Sequence, residues 1–332
     1  MNNQDGLGLT MGYSYSPDQN FSSSIGINFY DDQLDLNDMG YLILNDRLMF
    51  NGRTQFKKTR FSEGSILRSR LFEIGYGSKF NADTVRESSN FALKVETNFI
   101  DLSEIKTEIF YRSTGRNTRI TRGSPLAPYI DMPKGMGGYI EFTGPRKPKY
   151  IYSLRFERGK GSEHSPGISW KNSSRAFIKF MPRDNLSFNM SYNHSTENNW
   201  LNWLDDNLLA TYERKQRTSV FELEWFKNNK HELRIKAQLV AFTGRSPTPY
   251  LGDQKGKLTP TNISISPITI SELAFQVRYR YEIMPLSYLY LVYSKGGRVS
   301  LNDEEDDLSN LYRRPWNDPE KENFTVKLRY RF

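Results

Sequence analysis

Several residue types and patterns are scarce or missing in this chain of 332 residues. There is no cysteine, which excludes a disulfide framework, a thiolate metal site and a cysteine nucleophile. The three histidines, His164, His194 and His231, lie far apart in the sequence, which argues against a histidine-rich metal site. No apolar run approaches the roughly 18–20 residues that a membrane-spanning helix needs, so helical spans are excluded.

The composition combines many aromatic residues with few apolar residues overall. Aromatics make up 14% of the chain, with 20 Tyr and 21 Phe, while the hydrophobic total is 37% and the mean hydropathy is −0.69. Such a chain has too little apolar material to fill a large closed core, but enough to cover one face of a long sheet. The net charge of +8 is compatible with nucleic acid, anionic lipid or an anionic solute.

Apolar and polar residues alternate along most of the chain, which places alternate side chains on opposite faces of a strand. The last strand shows this well, since Phe324, Val326 and Leu328 alternate with Thr325 and Lys327. About fifteen segments have this character. Their approximate spans are 7–15, 21–30, 46–58, 66–80, 89–99, 104–113, 136–144, 148–158, 172–181, 184–195, 208–227, 230–243, 272–283, 286–296 and 322–332. Bulky residues on both faces leave 286–296 without a clear orientation.

Short and long connections alternate along the chain. Turn compositions occur at residues 16–20, 182–185, 228–230 and 284–285, and long polar connections are expected at 31–45, 114–135, 159–171, 196–207, 244–271 and 297–321. Tight turns at one rim, long loops at the other and strands of about 9–11 residues are typical of outer-membrane barrels. The sequence therefore predicts an all-β, antiparallel transmembrane β-barrel of the outer-membrane type, with about 14–16 visible strands.

The C-terminal strand resembles the assembly signal of bacterial outer-membrane barrels, which implies the barrel assembly machinery as a partner. The residues of this candidate signal are Phe324, Val326, Leu328, Tyr330 and Phe332. The odd strand count, together with an N-terminus that lacks signal-peptide features, suggests that residues 1–332 form one partial barrel whose upstream strands are absent. An open or imperfectly closed sheet is then expected, unless one strand is miscounted within 196–227.

Several strings resemble one domain-of-unknown-function family. They are Asn37–Tyr41, Thr121–Leu126, Trp200–Leu201 and, most strongly, residues 275–293. In that family an N-terminal carbohydrate-binding module, similar to family nine, precedes a long outer-membrane barrel. The resemblance covers roughly residues 37–332 and implies an outer-membrane location and a connection with glycans or other large surface ligands. Ser124 departs from the family pattern, which has a glycine there, and this puts a tight turn in doubt.

Charged residues supply the candidate binding features. One acidic cluster comprises Asp31, Asp32, Asp35 and Asp38, and a second comprises Asp303, Glu304, Glu305, Asp306 and Asp307. The second is a weak candidate for a metal site, although solvated loop charge is the simpler interpretation because the calcium-loop spacing is missing. Residues expected to face the barrel interior are Arg278, Arg280, Lys327, Arg329 and Arg331. They fit either an ion-selective pore or a wall of paired charges.

No catalytic residue and no cofactor are predicted, because no Gly-x-Ser-x-Gly occurs and scattered carboxylates carry no specific signal. Loop aromatics suited to sugar stacking or to packing are Tyr129, Trp200, Trp203, Tyr250, Tyr312 and Trp316. Nucleic acid is not an expected partner, since basic residues alternate with acids. We expect a Gram-negative outer-membrane barrel that contacts lipid and acts in transport or surface anchoring linked to glycans or large ligands. An outer-membrane enzyme and a soluble all-β carbohydrate-binding protein are the alternatives.

Overall fold

The computed structural model of the chain describes residues 6–34, 46–81, 85–160, 169–303 and 307–331. Within these ranges, the main body is one antiparallel sheet of sixteen strands. Its path runs β1-β2-β3-β4-β5-β6-β9-β10-β11-β12-β13-β14-β16-β17-β18, with β15 added to β14, and β7 pairs separately with β8. The path itself has fifteen strands, which agrees with the number of alternating segments in the sequence.

The strands in the first half are β1 (Gly8–Tyr15), β2 (Phe21–Tyr30), β3 (Arg47–Lys58), β4 (Leu67–Phe80), β5 (Arg86–Phe99), β6 (Glu104–Arg112), β7 (Gly115–Asn117), β8 (Ile130–Met132) and β9 (Gly135–Thr143). Those in the second half are β10 (Tyr150–Lys160), β11 (Trp170–Arg183), β12 (Leu186–Asp205), β13 (Leu208–Asn228), β14 (His231–Gly252), β15 (Leu258–Pro260), β16 (Ile268–Met284), β17 (Ser287–Leu301) and β18 (Lys321–Arg329). The prediction of an all-β antiparallel sheet is confirmed.

The two faces of the sheet differ as the alternation predicts. In β10, Leu154 and Phe156 are 42% and 57% exposed on one face, which we call the apolar face. Arg155 and Glu157 lie on the other, the charged face, where Arg155 also approaches Glu141 of β9. Register carries this division from strand to strand, because residues paired across antiparallel strands project to the same side.

The connections form two different rims. At the turn rim, the strands are joined by short segments such as Asp184–Asn185 and Pro285–Leu286, and Leu286 takes a left-handed φ of +67°. The opposite end, the loop rim, carries the longer connections that follow β2, β6, β14 and β17. Residues 35–45 and 304–306, and most of the connection expected at 159–171, lie outside the described residues. The alternation of short and long connections that the sequence predicts is therefore largely observed.

The prediction of polar connections at 196–207 and 244–271 is wrong over much of both ranges. Most of 196–207 and the first part of 244–271 are strand, because β12 and β14 run for 20 and 22 residues. Only Asp206 and Asn207 join β12 to β13, so no further strand lies in 196–227. The period-two signal fades here because both faces are covered, as shown by Leu209 at 0% and Tyr212 at 1% exposure.

A short helix, α1 (Leu308–Asn317), lies in the connection between β17 and β18. Asp307 caps its N-terminus by accepting a hydrogen bond from the Ser309 amide at 2.9 Å. Leu311 is buried against the sheet, and Trp316 packs edge-on against Phe275 of β16 with ring centroids 5.4 Å apart. In the part of the chain that is described, no helix is long and apolar enough to cross a membrane.

The path of the sheet ends at β1 and β18, and no backbone ladder joins these two described strands. Every residue of β1 and of β18 is exposed, which fits two unpaired edges. Barrel closure is therefore not observed among the described strands, and the partial barrel stays a prediction.

Candidate functional site

The charged face of β13, β14 and β16 is a ladder of paired charges. Glu232 is 4% exposed and lies against two arginines, Arg234 and Arg280, with its Oε2 2.8 Å from Arg280 Nη2. On the next rungs, Lys236 Nζ donates to Glu222 Oε1 at 2.8 Å. This arrangement has the form of the charge-paired wall, and the same side chains would also line a water-filled interior.

The orientation of β17 becomes clear on this face. Tyr288 and Tyr290 lie beneath the guanidinium groups of Arg280 and Arg278, at 5.4 and 5.5 Å from the ring centroids. Two tyrosines therefore belong to the charged face as cation–π partners, while Leu289 and Leu291 project to the apolar face. These contacts explain why residues 286–296 have large side chains on both faces of the strand.

The interior-facing residues predicted from the sequence share the charged face as far as they are described. Arg278 and Arg280 lie in β16, and Lys327 and Arg329 pair with Tyr290 and Tyr288 in the register of β17 and β18. Arg331 follows β18, and its amide donates to the Ser287 hydroxyl at 3.0 Å.

The candidate assembly-signal residues Phe324, Val326 and Leu328 lie on the opposite, apolar face of β18 and are 58–67% exposed. Tyr330 follows the strand and is 48% exposed. Phe332 lies outside the described residues. An alternating aromatic strand is thus present, and its role in assembly stays a prediction.

The described residues of the two acidic clusters include several that form hydrogen bonds within the local structure. The Asp31 carboxylate accepts hydrogen bonds from three backbone amides, including those of Leu7 and Leu34. The Asp303 carbonyl accepts from the Thr269 hydroxyl, and Asp307 caps α1. Glu304, Glu305 and Asp306, like Asp35 and Asp38, lie outside the described residues. Among the residues that are described, no group of three or more His, Cys, Asp or Glu could hold a metal ion.

The loop rim carries a small packed core that sequence reasoning missed. Residues 113–134, which we call the rim loop, leave β6, form the β7–β8 pair and continue to β9. The core residues are Ala127, Ile130, Leu201 and Leu209, all at most 2% exposed. The first two belong to the rim loop and the others to β12 and β13, so this loop is packed against the extended hairpin. The alternation of apolar and polar residues did not indicate the core residues of the loop, because they lie in an irregular segment.

Polar contacts hold the rim loop in place. Ser124 donates its hydroxyl to Asp206 Oδ1 at 2.5 Å, and the Asp131 amide donates to the Gly256 carbonyl at 2.8 Å. A tight turn is present in the loop, because Arg122 and Gly123 adopt φ values of +52° and +81°. The doubt raised by Ser124 is thus resolved, since its neighbour supplies the left-handed conformation and Ser124 supplies a side-chain contact.

The loop aromatics divide into surface and packing residues. Tyr129 lies under the Arg116 guanidinium and Trp203 under that of Arg122, each at 4.3 Å. Tyr250 lines a hollow of about 400 Å³ with Asp131 and Lys257. Trp203 is also partly buried against the core of the loop rim. Of the other three, Trp200 contacts Phe242, Trp316 contacts Phe275 but stays 43% exposed, and Tyr312 lies 3.3 Å from the Ser219 hydroxyl.

These features define a class of protein: a long antiparallel meander with one apolar and one charged face, and a structured loop rim at one end. The chain matches the model of a family described as a domain of unknown function, DUF5916, over residues 1–332. It therefore belongs to the DUF5916 family. This agrees with the expected membership of a domain-of-unknown-function family, while the associated carbohydrate-binding module stays an expectation.

Comparison with characterised proteins adds little. No curated protein matches the chain. Among solved structures, the chain is similar to the siderophore receptor PirA from Acinetobacter baumannii, with 9% sequence identity and a TM-score of 0.42. The match covers 97% of this chain and 63% of the receptor, so the chain spans less than two thirds of that protein's length. A likeness at this level carries no conclusion about function.

Proposed function

We propose that this chain forms part of an outer-membrane β-barrel that acts in transport or surface anchoring and handles glycans or other large ligands at its loop rim. The observation that carries the proposal is the contrast between the two faces of the main sheet. Large apolar side chains are exposed on one face across many strands, whereas charged side chains are paired on the other. Lipid on the first face and water on the second would satisfy both.

The apolar face is hard to reconcile with water. Side chains such as Ile74 and Leu93 are 43% and 44% exposed on neighbouring strands, and Ile109 on the next strand is 64% exposed. Contiguous apolar patches larger than a few hundred Å² are rare on soluble monomers and mark sites of interaction with protein or membrane. A lipid-facing sheet has a reason to show such a surface on strand after strand.

The charged face suits a hydrated interior. Ion pairs such as Arg53–Glu73 and Lys106–Glu104 recur along the same face as Glu232 and its two arginines. In hydrocarbon these groups would be costly even when paired. Facing an interior that contains water, they stabilise one another across strands and set the electrostatic potential that a solute would meet.

In a membrane, the two open edges of the sheet would need hydrogen-bond partners. Backbone groups left unpaired in hydrocarbon each cost several kcal/mol, so spanning strands must be paired on both sides. The outer edges of β1 and β18 must therefore find hydrogen-bond partners in the membrane. Amide hydrogen exchange at Thr10 and Val326, whose N–H groups point away from β2 and β17, would detect this pairing in bilayers as strong protection.

The loop rim is proposed as the ligand-handling end. Its aromatic rings, including Tyr129 and the partly buried Trp203, lie beside charged groups on a packed base. Aromatic faces next to hydrogen-bonding groups suit the stacking and polar contacts that carbohydrates require. No catalytic step is included in the proposal.

The deciding experiment compares two adjacent positions in the middle of β5. Spin labels at Leu93, on the apolar face, and at Ala92, on the charged face, would be measured in lipid vesicles with a lipid-soluble and a water-soluble quencher. We expect oxygen to relax the first label and a nickel complex the second. Equal responses at both positions, or a soluble monomer without detergent, would overturn the proposal in favour of a soluble all-β protein.

A further inference from the structure

A small, partly open cavity of about 170 Å³ lies where the rim loop folds against β4, β5 and β6. Its lining residues are Lys79, Glu87, Ser88, Asn90, Arg112, Arg116, Asn117, Arg119 and Met132. Four of these side chains are cationic and one is anionic, so the described part of the wall carries a net positive charge.

The one carboxylate in the wall is already engaged. Arg119 Nη2 donates to Glu87 Oε1 at 3.0 Å, and Arg47 Nη2 lies 3.8 Å from Glu87 Oε2. Glu87 therefore holds two arginines in place and shares its single negative charge between them. Arg116 has an acidic neighbour in Asp131 at 3.6 Å, but both side chains are largely exposed and such pairs contribute little.

Local backbone geometry builds this wall. Lys79 pairs with Ser88 and Phe80 pairs with Arg86, so Glu87 is an extra residue in β5, a β-bulge. Bulges change the direction in which a side chain points and are common next to binding sites. Here the bulge sets Glu87 between the arginines of β3 and of the rim loop.

Gly115 allows the rim loop to close the cavity. A Cβ atom at this position would lie 1.3 Å from the Glu87 carbonyl oxygen, so only glycine permits β7 to approach β5 this closely. Arg86 Nη2 also donates to the Thr114 carbonyl at 3.1 Å, which fixes the start of the loop. The cationic groups are thus mounted on strands and on a tethered segment, which is the arrangement that a preorganised site needs.

We propose that this cavity, which we call the anion cavity, binds a tetrahedral oxyanion group, a phosphate or a sulfate. Arginine forks match the geometry of such oxyanions and form strong charge-assisted hydrogen bonds with them. Ser88 and Asn90 add neutral donors at the base. This inference goes beyond the proposed function, because it names a ligand chemistry and holds whether or not the sheet spans a membrane.

The surroundings favour an oxyanion that is carried on a larger molecule. A second hollow of about 610 Å³, lined by Val85, Arg86 and Thr114 among others, shares Arg116 and Met132 with the anion cavity. A sugar phosphate or sulfated sugar could place its charged group in the smaller space and its ring in the larger. Free phosphate would occupy the smaller space alone.

Calorimetric titration of the purified full chain, in a low-salt buffer free of phosphate, would test the inference. The probes are inorganic phosphate, sulfate, glucose 6-phosphate and glucose, and the variants are Lys79→Gln and Arg112→Gln. Lys179→Gln is the matched control, since it removes one charge from the same face in β11, away from the cavity. We expect binding of the three anions but not of glucose, with Kd raised roughly tenfold or more in each cavity variant.

The outcomes separate the sources of the oxyanion. Tighter binding of glucose 6-phosphate than of phosphate supports a ligand that carries a sugar, and equal binding supports the free anion. No anion binding by the unaltered chain, or the same loss in Lys179→Gln as in Lys79→Gln, would overturn the inference. Because two variants on different strands are used, misfolding of one does not decide the result, and the labels at Leu93 and Ala92 test the membrane proposal separately.

Discussion

The Ser124 hydroxyl and the Asp206 carboxylate, 82 positions apart in the sequence, are joined by a hydrogen bond of 2.5 Å. This contact ties the rim loop to the turn between β12 and β13. Trp203 reinforces the same point, because its Nε1 donates to the Asp206 carbonyl at 2.8 Å and its ring lies beneath Arg122. The loop rim is therefore a packed structure rather than a set of independent loops.

Removing this contact should loosen the rim loop without unfolding the sheet. Ser124→Ala deletes a hydrogen bond to a charged acceptor and should cost about 1.5–3 kcal/mol locally. Amide hydrogen exchange at Ala127 would measure the effect as faster exchange. Ser23→Ala in β2, which removes a neutral contact to Thr54 of β3, is the control and should leave Ala127 unchanged. Equal protection of Ala127 in both variants would show that the Ser124 contact does not hold the loop.

A charge placed on the apolar face should be much more disruptive than the same charge on the opposite face. Leu154→Arg, near the middle of β10, should cost about 2–4 kcal/mol in a bilayer. Ser153→Arg, one residue away on the charged face, should cost clearly less because its side chain meets water. Urea unfolding from lipid vesicles measures both, and similar values for the two variants would count against a lipid-facing surface.

Glu232 should be the most sensitive member of the charge ladder. Glu232→Gln removes the buried carboxylate that Arg234 and Arg280 share, and since both arginines are partly exposed and Arg234 keeps Glu224, the loss should cost about 1.5–3 kcal/mol. Glu222→Gln removes the partner of Lys236, whose side chain is 57% exposed, and should cost at most about 1 kcal/mol. Chemical unfolding compares them, and an equal effect would show that burial does not distinguish the two rungs.

Gly115 should be required for the anion cavity. Gly115→Ala places a Cβ against the backbone of β5 and should destabilise the contact by about 1–3 kcal/mol, with loss of anion binding. Gly75→Ala in β4 is the matched control, since nothing lies within 4 Å of the added Cβ. Calorimetry with phosphate should show binding in the control alone. Retained binding in Gly115→Ala would mean that β7 does not close the cavity.

The turn between β5 and β6 should respond to acid. The Ser103 hydroxyl and amide donate to the Asp101 carboxylate at 2.6 and 2.9 Å, and they hold the pKa of Asp101 below its usual value. A lowered pKa in the folded state adds stability that is present above the unfolded pKa and is lost as the pH falls through the folded pKa. Carboxyl NMR titration should give a higher pKa for Asp101 in Ser103→Ala. An unchanged pKa would mean that the Ser103 hydroxyl does not stabilise the carboxylate.

Much of the sheet could be predicted from the sequence because one face of most strands differs sharply from the other. The fifteen alternating segments correspond to the fifteen strands of the main path. The predictions from the sequence fail where the two faces of a strand no longer differ in polarity. In the outer part of β12, residues such as Leu201 are buried by the rim loop, so polar and apolar positions no longer follow a period of two. In β17, tyrosines serve the charged face through cation–π contacts, which composition alone cannot show.

The candidate sites were less predictable because they depend on contacts between distant segments. Asp307 belongs to an acidic run, yet its carboxylate caps α1, and nothing in the run itself indicates a helix start. The residues of the anion cavity come from β4, β5, β6 and the rim loop, with no short motif among them. Only Gly115, beside the positively charged Arg116, gives a local sign of close backbone approach.

The order of the strands has a consequence for how the molecule assembles. Nearly all neighbours in the main path are consecutive along the chain, so each hairpin can form with a short loop closure. The rim loop is different, since Ser124 and Ala127 must wait for β12 and β13 before they can pack. In a time-resolved refolding experiment, the strands should therefore gain protection before the rim loop does. The anion cavity would then be one of the last features to mature, and ligand binding would report on completion of the fold.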